Sequence, residues 1–136
     1  MLNRVQEELL LKELACDTSD IARKNEIALY FSDKNDERVV PILERLVNNP
    51  KYKNYRGTFV YALKNFASNK HFDLLIKLLI DANYEVAHEA VDIIYSIDFV
   101  EGEKVQEAYM KLNCAYHDCC ESWRKDLIGN VLLCFE

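Results

Sequence analysis

A helical apolar pattern that returns along the chain limits what this sequence can fold into. Ile42-Leu43-x-x-Leu46-Val47 recurs as Leu74-Leu75-x-x-Leu78-Leu79, and again as the weaker Ala108-Tyr109-x-x-Leu112. A second pattern is interleaved with it. Tyr55-Arg56-x-x-Phe59-x-x-x-Leu63 is followed by Val86-Ala87-x-x-Ala90-x-x-x-Ile94, and then by Cys119-Cys120-x-x-Trp123-x-x-x-Leu127. Spacings of three and four mark amphipathic helices. The copies follow one another at a step of roughly 31–34 residues, the size of a helical-hairpin repeat. Two helices per unit at a steady period mark hairpins that stack, because no single hairpin can bury its own apolar face. The alternative is a compact up-and-down bundle, since short connections make neighbouring helices antiparallel in either case.

The same reading extended over all 136 residues gives eight helices in one domain. They fall at about 2–15, 19–32, 36–48, 54–67, 70–80, 84–97, 103–114 and 118–135. The first carries Leu2, Val5, Leu9, Leu10 and Leu14 on one side, and the last carries Trp123, Leu127, Ile128, Val131 and Phe135. Asp17, Thr18 and Ser19 supply helix-start chemistry for the second, and Asn83 does so for the sixth. Pro41 belongs near a helix start or at a kink. With only three glycines and two prolines, the chain has too little turn chemistry for a sandwich or barrel of short strands.

Two stretches resemble the HEAT-repeat family. Asp36-Glu37-Arg38-Val39-Val40-Pro41-Ile42-Leu43-Glu44-Arg45-Leu46-Val47 looks like a HEAT first helix, proline included. Tyr84-Glu85-Val86-Ala87-His88-Glu89-Ala90-Val91-Asp92-Ile93-Ile94 looks like a second helix. Arg56 falls where HEAT second helices often carry arginine, and Ala87 and Cys120 hold that position in the next two units. The resemblance covers residues 33–98 and weakens at both ends. It implies an all-α solenoid of about four HEAT-like helical hairpins that acts as a scaffold and binds through its second helices.

The charge is uneven. Residues 1–68 carry 11 basic and 10 acidic side chains, whereas residues 69–136 carry 6 and 13. Asp81, Glu85, Glu89, Asp92, Asp98, Glu101, Glu103 and Glu107 stand against a single Lys104. Phosphate backbones need basic surface, so nucleic acid is excluded as the expected partner and a basic protein is favoured. A solvated acidic surface that keeps the protein soluble is the plainer alternative. If Val86, Ala90, Ile94 and Ile97 form the buried seam of the sixth helix, Glu85, His88, Glu89, Asp92 and Tyr95 face outward. The same reasoning exposes Tyr61, Lys64 and Asn65 on the fourth helix. The expected partner-binding set is therefore Tyr61, Tyr84, Glu85, Glu89, Asp92 and Tyr95, then Asp98, Glu101 and Glu103 beyond the sixth helix. Its acids attract a basic partner and its tyrosines supply anchors.

The remaining chemistry is sparse. His71, His88 and His117 fall on separate elements, and neither a nucleophile motif nor a glycine-rich phosphate loop is present. Glu85, His88 and Asp92 are i−3 and i+4 neighbours of the kind that helical surfaces produce by chance. No catalytic residues and no cofactor are expected. Cys114-x-x-His117-x-Cys119-Cys120 matches no zinc spacing, so no metal is expected, and the five cysteines read as buried, reduced thiols. Acids near the start replace the apolar stretch of a secretory leader, and no apolar run is long enough for a membrane span. The expectation is a cytoplasmic protein that binds no membrane. Size, charge and fold also resemble small bacterial HEAT-like immunity proteins, encoded beside toxins of contact-dependent growth inhibition. That resemblance implies inhibition of a cognate nuclease toxin. The alternatives are a generic HEAT-repeat adaptor and, against the acidic face, a HEAT-like DNA-modifying enzyme.

Overall fold

The computed structural model describes residues 2–17, 20–66 and 69–135. These residues form eight α-helices and no strand, so the all-α expectation of four helical hairpins holds. Contacts divide the chain into two compact units, Met1–Phe66 and Ala67–Glu136.

The first unit contains α1 (Arg4–Ala15), α2 (Ile21–Asp33), α3 (Val40–Asn48) and α4 (Gly57–Leu63). Besides the pairs α1–α2 and α3–α4, α1 touches α3 and α2 touches α4. The hairpins thus stack first helix on first and second on second. Near the end of α2, the Ser32 hydroxyl donates to the Ala62 carbonyl near the end of α4, at 2.8 Å. The Asn65 amide, just past α4, donates to the Ser32 carbonyl and hydroxyl at 3.0 Å each. End meets end, so α2 and α4 run parallel.

Local chemistry sets the helix boundaries. Asn3 and Gln6 form a capping box at the start of α1, each side chain accepting the other's backbone N–H. Asp20 caps α2 through the Arg23 N–H at 2.7 Å, while Thr18 and Ser19 lie outside the described residues. α2 ends on Asn35, whose φ of 56° is left-handed. The Asp36 and Asn35 N–H groups return to the Phe31 and Ser32 carbonyls, which is the Schellman arrangement with asparagine in place of glycine. A 3₁₀ turn at Glu37–Val39 precedes α3 and puts Pro41 in its first turn, where a missing N–H costs little. α4 begins at Gly57 rather than at 54, leaving Tyr55 outside the helix and exposed.

The apolar side of α1 is not a buried seam. Of its leucines and valine only Leu14 is fully buried, whereas Val5 is 66% and Leu9 60% exposed. α1 packs mainly against α2 and α3, and the side chain it buries alongside Leu14 is Glu7. Glu7 accepts hydrogen bonds from the Tyr30 hydroxyl at 2.9 Å, from Arg38 Nη2 at 3.0 Å and from Lys34 Nζ. The Lys34 ammonium, then the Tyr30 hydroxyl, hold its carboxyl below the ordinary value of 4.5. A carboxyl with a lowered native pKa stabilises the fold above its unfolded pKa, and that contribution is lost as pH falls through the native value. Lowering pH from 5 to 3 should therefore reduce the urea midpoint of the native protein more steeply than that of Glu7→Gln, followed by circular dichroism. Equal slopes would refute this role for Glu7.

The second unit contains α5 (Phe72–Asp81), α6 (Tyr84–Ser96), α7 (Gly102–Asp118) and α8 (Ser122–Leu133). α5 packs on α6 and α7 on α8, with α5 against α7 and α6 against α8. Tyr84 at the start of α6 meets Trp123 at the start of α8, their ring centroids 5.1 Å apart. Tyr95 at the end of α6 meets Cys134 at the end of α8. These helices therefore run parallel. Tyr84 stands against Trp123 and Tyr95 against Cys134, whereas the sequence pattern sets Val86 against Cys119 and Ala90 against Trp123. The difference arises in α7, which has 17 residues against 10 in α5 and extends past the expected end at 114.

Arg124 of α8 is buried and closes the end of α5. It donates to the Leu79 carbonyl at 2.8 Å, to the Ala82 carbonyl at 2.5 Å, and to Glu121 at 2.8 Å. Its guanidinium also stacks 4.5 Å from the Trp123 ring. Arg124→Met keeps most of the volume and strips both carbonyls of a donor. It should cost about 1–3 kcal/mol in equilibrium unfolding. A loss below a few tenths would mean that water replaces the guanidinium.

Candidate protein-binding surface

The face expected to bind a partner is built mainly on α6. Asn83 starts this helix by accepting the Val86 N–H at 2.9 Å, and Glu85 follows in the first turn, where the helix dipole favours a carboxylate. Val86, Ala87, Ala90, Val91, Ile93 and Ile94 are buried. That leaves Tyr84, Glu85, Asp92 and Tyr95 exposed along the opposite face, with His88 and Glu89 half-buried between them. Asp98, Glu101 and Glu103 are exposed on the connection to α7 and its first turn. Tyr61 is exposed on α4, in the other unit.

Packing gives this face a rigid aromatic end that the sequence pattern places elsewhere. Tyr84 lies 4.3 Å from the His88 ring and 5.1 Å from Trp123, centroid to centroid. Periodicity puts Trp123 in the apolar seam of the last helix, but it is half-buried and edges against Tyr84. Its aromatic character is the one signal the sequence carries. The meeting with Tyr84 is hidden by the longer α7. At the other end of α6, desolvation and then the neighbouring Cys134 thiol push the Tyr95 phenol above its ordinary value of 10.0. Half of the Tyr95 side chain is exposed.

The cysteines are not buried. Cys16, Cys114, Cys120 and Cys134 are exposed, and Cys119 is half-buried. The reason is position: Cys114 lies on the outer side of α7, and the other four follow the ends of α1, α7 and α8. Among the described residues, no group of three or more His, Cys, Asp or Glu side chains is arranged to hold a metal ion. The three histidines occupy a 3₁₀ turn, α6 and α7, and His71 is buried while His117 is exposed. Among the described residues, no helix is long and apolar enough to cross a membrane.

Compared with known proteins, the chain matches no family model, no curated protein and no solved structure. What the surface can do therefore follows from its own chemistry. It can offer carboxylates and two anchored tyrosines to a partner.

The aromatic contact is directly measurable, because Trp123 is the single tryptophan. Tyr84→Ala should make it more accessible to acrylamide, with a higher quenching constant. The same substitution should cost about 0.5–1.5 kcal/mol of stability for the lost ring pair. Unchanged quenching would mean that the rings do not pack in solution.

Proposed function

We propose that this protein is a cytoplasmic immunity protein that binds a cognate nuclease toxin and blocks its active-site cleft without chemistry of its own. The observation that carries the reading is the stretch 81–103. It holds Asp81, Glu85, Glu89, Asp92, Asp98, Glu101 and Glu103 and not one lysine or arginine. A nuclease cleft is basic because its substrate is a chain of phosphates. An array of carboxylates on one helix face and the following connection matches such a cleft in charge and steers the encounter. Tyr84 and Tyr95, supported by Trp123 and Cys134, supply pre-positioned anchors of the type that dominates binding energy.

Two further features support the reading. Stacked hairpins present a long helical face without needing a pocket. The resemblance of residues 36–47 and 84–94 to HEAT helices, and of the whole chain to small bacterial HEAT-like immunity proteins, points the same way. A generic adaptor for a basic partner would use the same face, so the partner's activity separates the two readings.

The test is co-expression with the product of the adjacent gene, followed by affinity and nuclease measurements on the complex. A complex that abolishes nuclease activity supports immunity. A complex that leaves the partner active supports the adaptor, and DNA binding by the isolated chain at moderate salt supports the enzyme reading. Charge reversal by Glu89→Lys with Asp92→Lys should weaken the complex by about tenfold or more and flatten its salt dependence. Unchanged affinity in a folded double variant would remove α6 from the interface.

A further inference from the structure

The connection between α7 and α8 carries two adjacent thiols. Cys119 is half-buried and Cys120 is exposed. The other three cysteines have no neighbour of their kind in the sequence. The Cys119 backbone is extended, with φ −77° and ψ 131°, and so is that of Glu121, with φ −92° and ψ 117°. Extended backbone sends successive side chains to opposite sides, so the two sulfurs stand apart in the thiol form. Their α-carbons are held about 3.8 Å apart by one peptide unit. Rotation within the connection is therefore enough to bring the thiols together, without movement of either helix as a whole.

Cys119 is tied to the start of the next helix. Its thiol donates to the Glu121 carbonyl at 3.4 Å. The same carbonyl accepts the Lys125 N–H at 3.0 Å, the bond that opens α8. The Glu121 carboxylate accepts from Arg124 Nε at 2.8 Å, and Arg124 closes the end of α5 through the Leu79 and Ala82 carbonyls. Trp123 lies between them in sequence, stacked on Arg124 and edged against Tyr84. The start of α8, the closure of α5 and an aromatic contact with α6 thus converge on the residues that follow the two thiols.

A bond between the thiols changes this arrangement. Ordinary disulfides join α-carbons about 4.4–6.8 Å apart, so adjacent cysteines are bridged only by bending the chain between them. Cys119 then loses its S–H donor and leaves the Glu121 carbonyl. Strained, exposed disulfides are readily reduced, and they serve as labile bonds rather than as structural ones.

We infer that Cys119 and Cys120 form a reversible oxidation site, a dithiol that closes to a disulfide and in closing loosens the start of α8. The oxidant is a low-molecular-weight disulfide. Cys120, the more exposed, attacks one of its sulfurs as a thiolate. A mixed disulfide forms, and the first thiolate of the oxidant leaves. Cys119 then gives its proton to water, attacks the Cys120 sulfur and expels the second thiolate. The protein loses two electrons and two protons, and the oxidant takes them up to become two thiols. Excess thiol reverses both steps. The inference does not rest on the proposed function, and its test needs no partner.

The full chain is incubated with oxidised glutathione, and its remaining thiols are counted after unfolding. The expected loss is two of the five thiols. Tandem mass spectrometry of the tryptic peptide 112–124 should locate the bond between Cys119 and Cys120. That peptide also contains Cys114, so Cys114→Ser is measured alongside and should still lose two thiols. Cys119→Ser and Cys120→Ser should form no intramolecular bond. Trp123, the single tryptophan, reports the loosening: its acrylamide quenching constant should rise on oxidation and return with dithiothreitol. Circular dichroism confirms that each variant is folded. A bond from Cys114 to either residue, a mixed disulfide with glutathione that never closes, or no loss of thiols overturns the inference. Unchanged quenching in a chain whose Cys119–Cys120 bond has been located also overturns it.

Discussion

An α-helix leaves its last carbonyls without partners, and a chain of stacked hairpins must satisfy them where the helices end against one another. Glycine in the left-handed conformation is the common solution. Here there are three glycines, and none has a positive φ. The first helices of three hairpins are instead closed by cations from a following element. Lys24 of α2 donates to the Leu14 and Cys16 carbonyls at 2.5 Å each, at the end of α1. Arg56, just before α4, donates to the Val47 carbonyl of α3 at 3.1 Å. Arg124 serves α5 in the same way. Each bond ties the end of a first helix to a second helix. Desolvation lowers the Lys24 pKa from its ordinary 10.5, and the two carbonyls are what make its burial tolerable.

This device explains how much of the fold was legible. The existence and order of eight helices followed from apolar spacing, because a helix of three or four turns repeats its signal several times. Arg56 was recognisable by position. Arg124 was not, because the second unit takes its capping cation from α8, and Ala87 occupies the expected place on α6. The exposed valine and leucine of α1 mislead for a related reason. Periodicity states that a helix has an apolar face, and it does not state that a neighbour exists to cover it. The five cysteines mislead similarly: the residue type favours burial, and their placement, mostly at helix ends, overrides it.

The candidate surface was legible in its outward acids and tyrosines, since α6 keeps its register from Tyr84 to Ser96. Its aromatic support was not, because pairing across helices depends on the length of what lies between. α7 is longer than α5 (17 residues against 10), an excess of about 10 Å. That excess shifts the pairing of α6 with α8 and brings Trp123, not Cys119, to the start of α6. The change in helix length thus accounts for the broken repeat. Tyr109 and Met110 of α7 are exposed.

The two units differ in how their charges are distributed along the sequence. In the first unit, carboxylates are enclosed by structure: Glu7 by Tyr30, Lys34 and Arg38, Glu13 by Arg23 at 2.6 Å, Asp36 by Arg38 at 2.6 Å. In the second, residues 81–103 include no lysine or arginine. On α8, Arg124 engages the end of α5 and Glu121, and Lys125 lies 4.8 Å from the Tyr116 ring. Concentrated like charge repels itself and lowers stability. Solubility requires net charge but not its concentration on one helix and one connection. Under the proposed function, acids concentrated on α6 and the connection after it, with Tyr84 and Tyr95 near the two ends of that helix, suit long-range attraction to a basic partner.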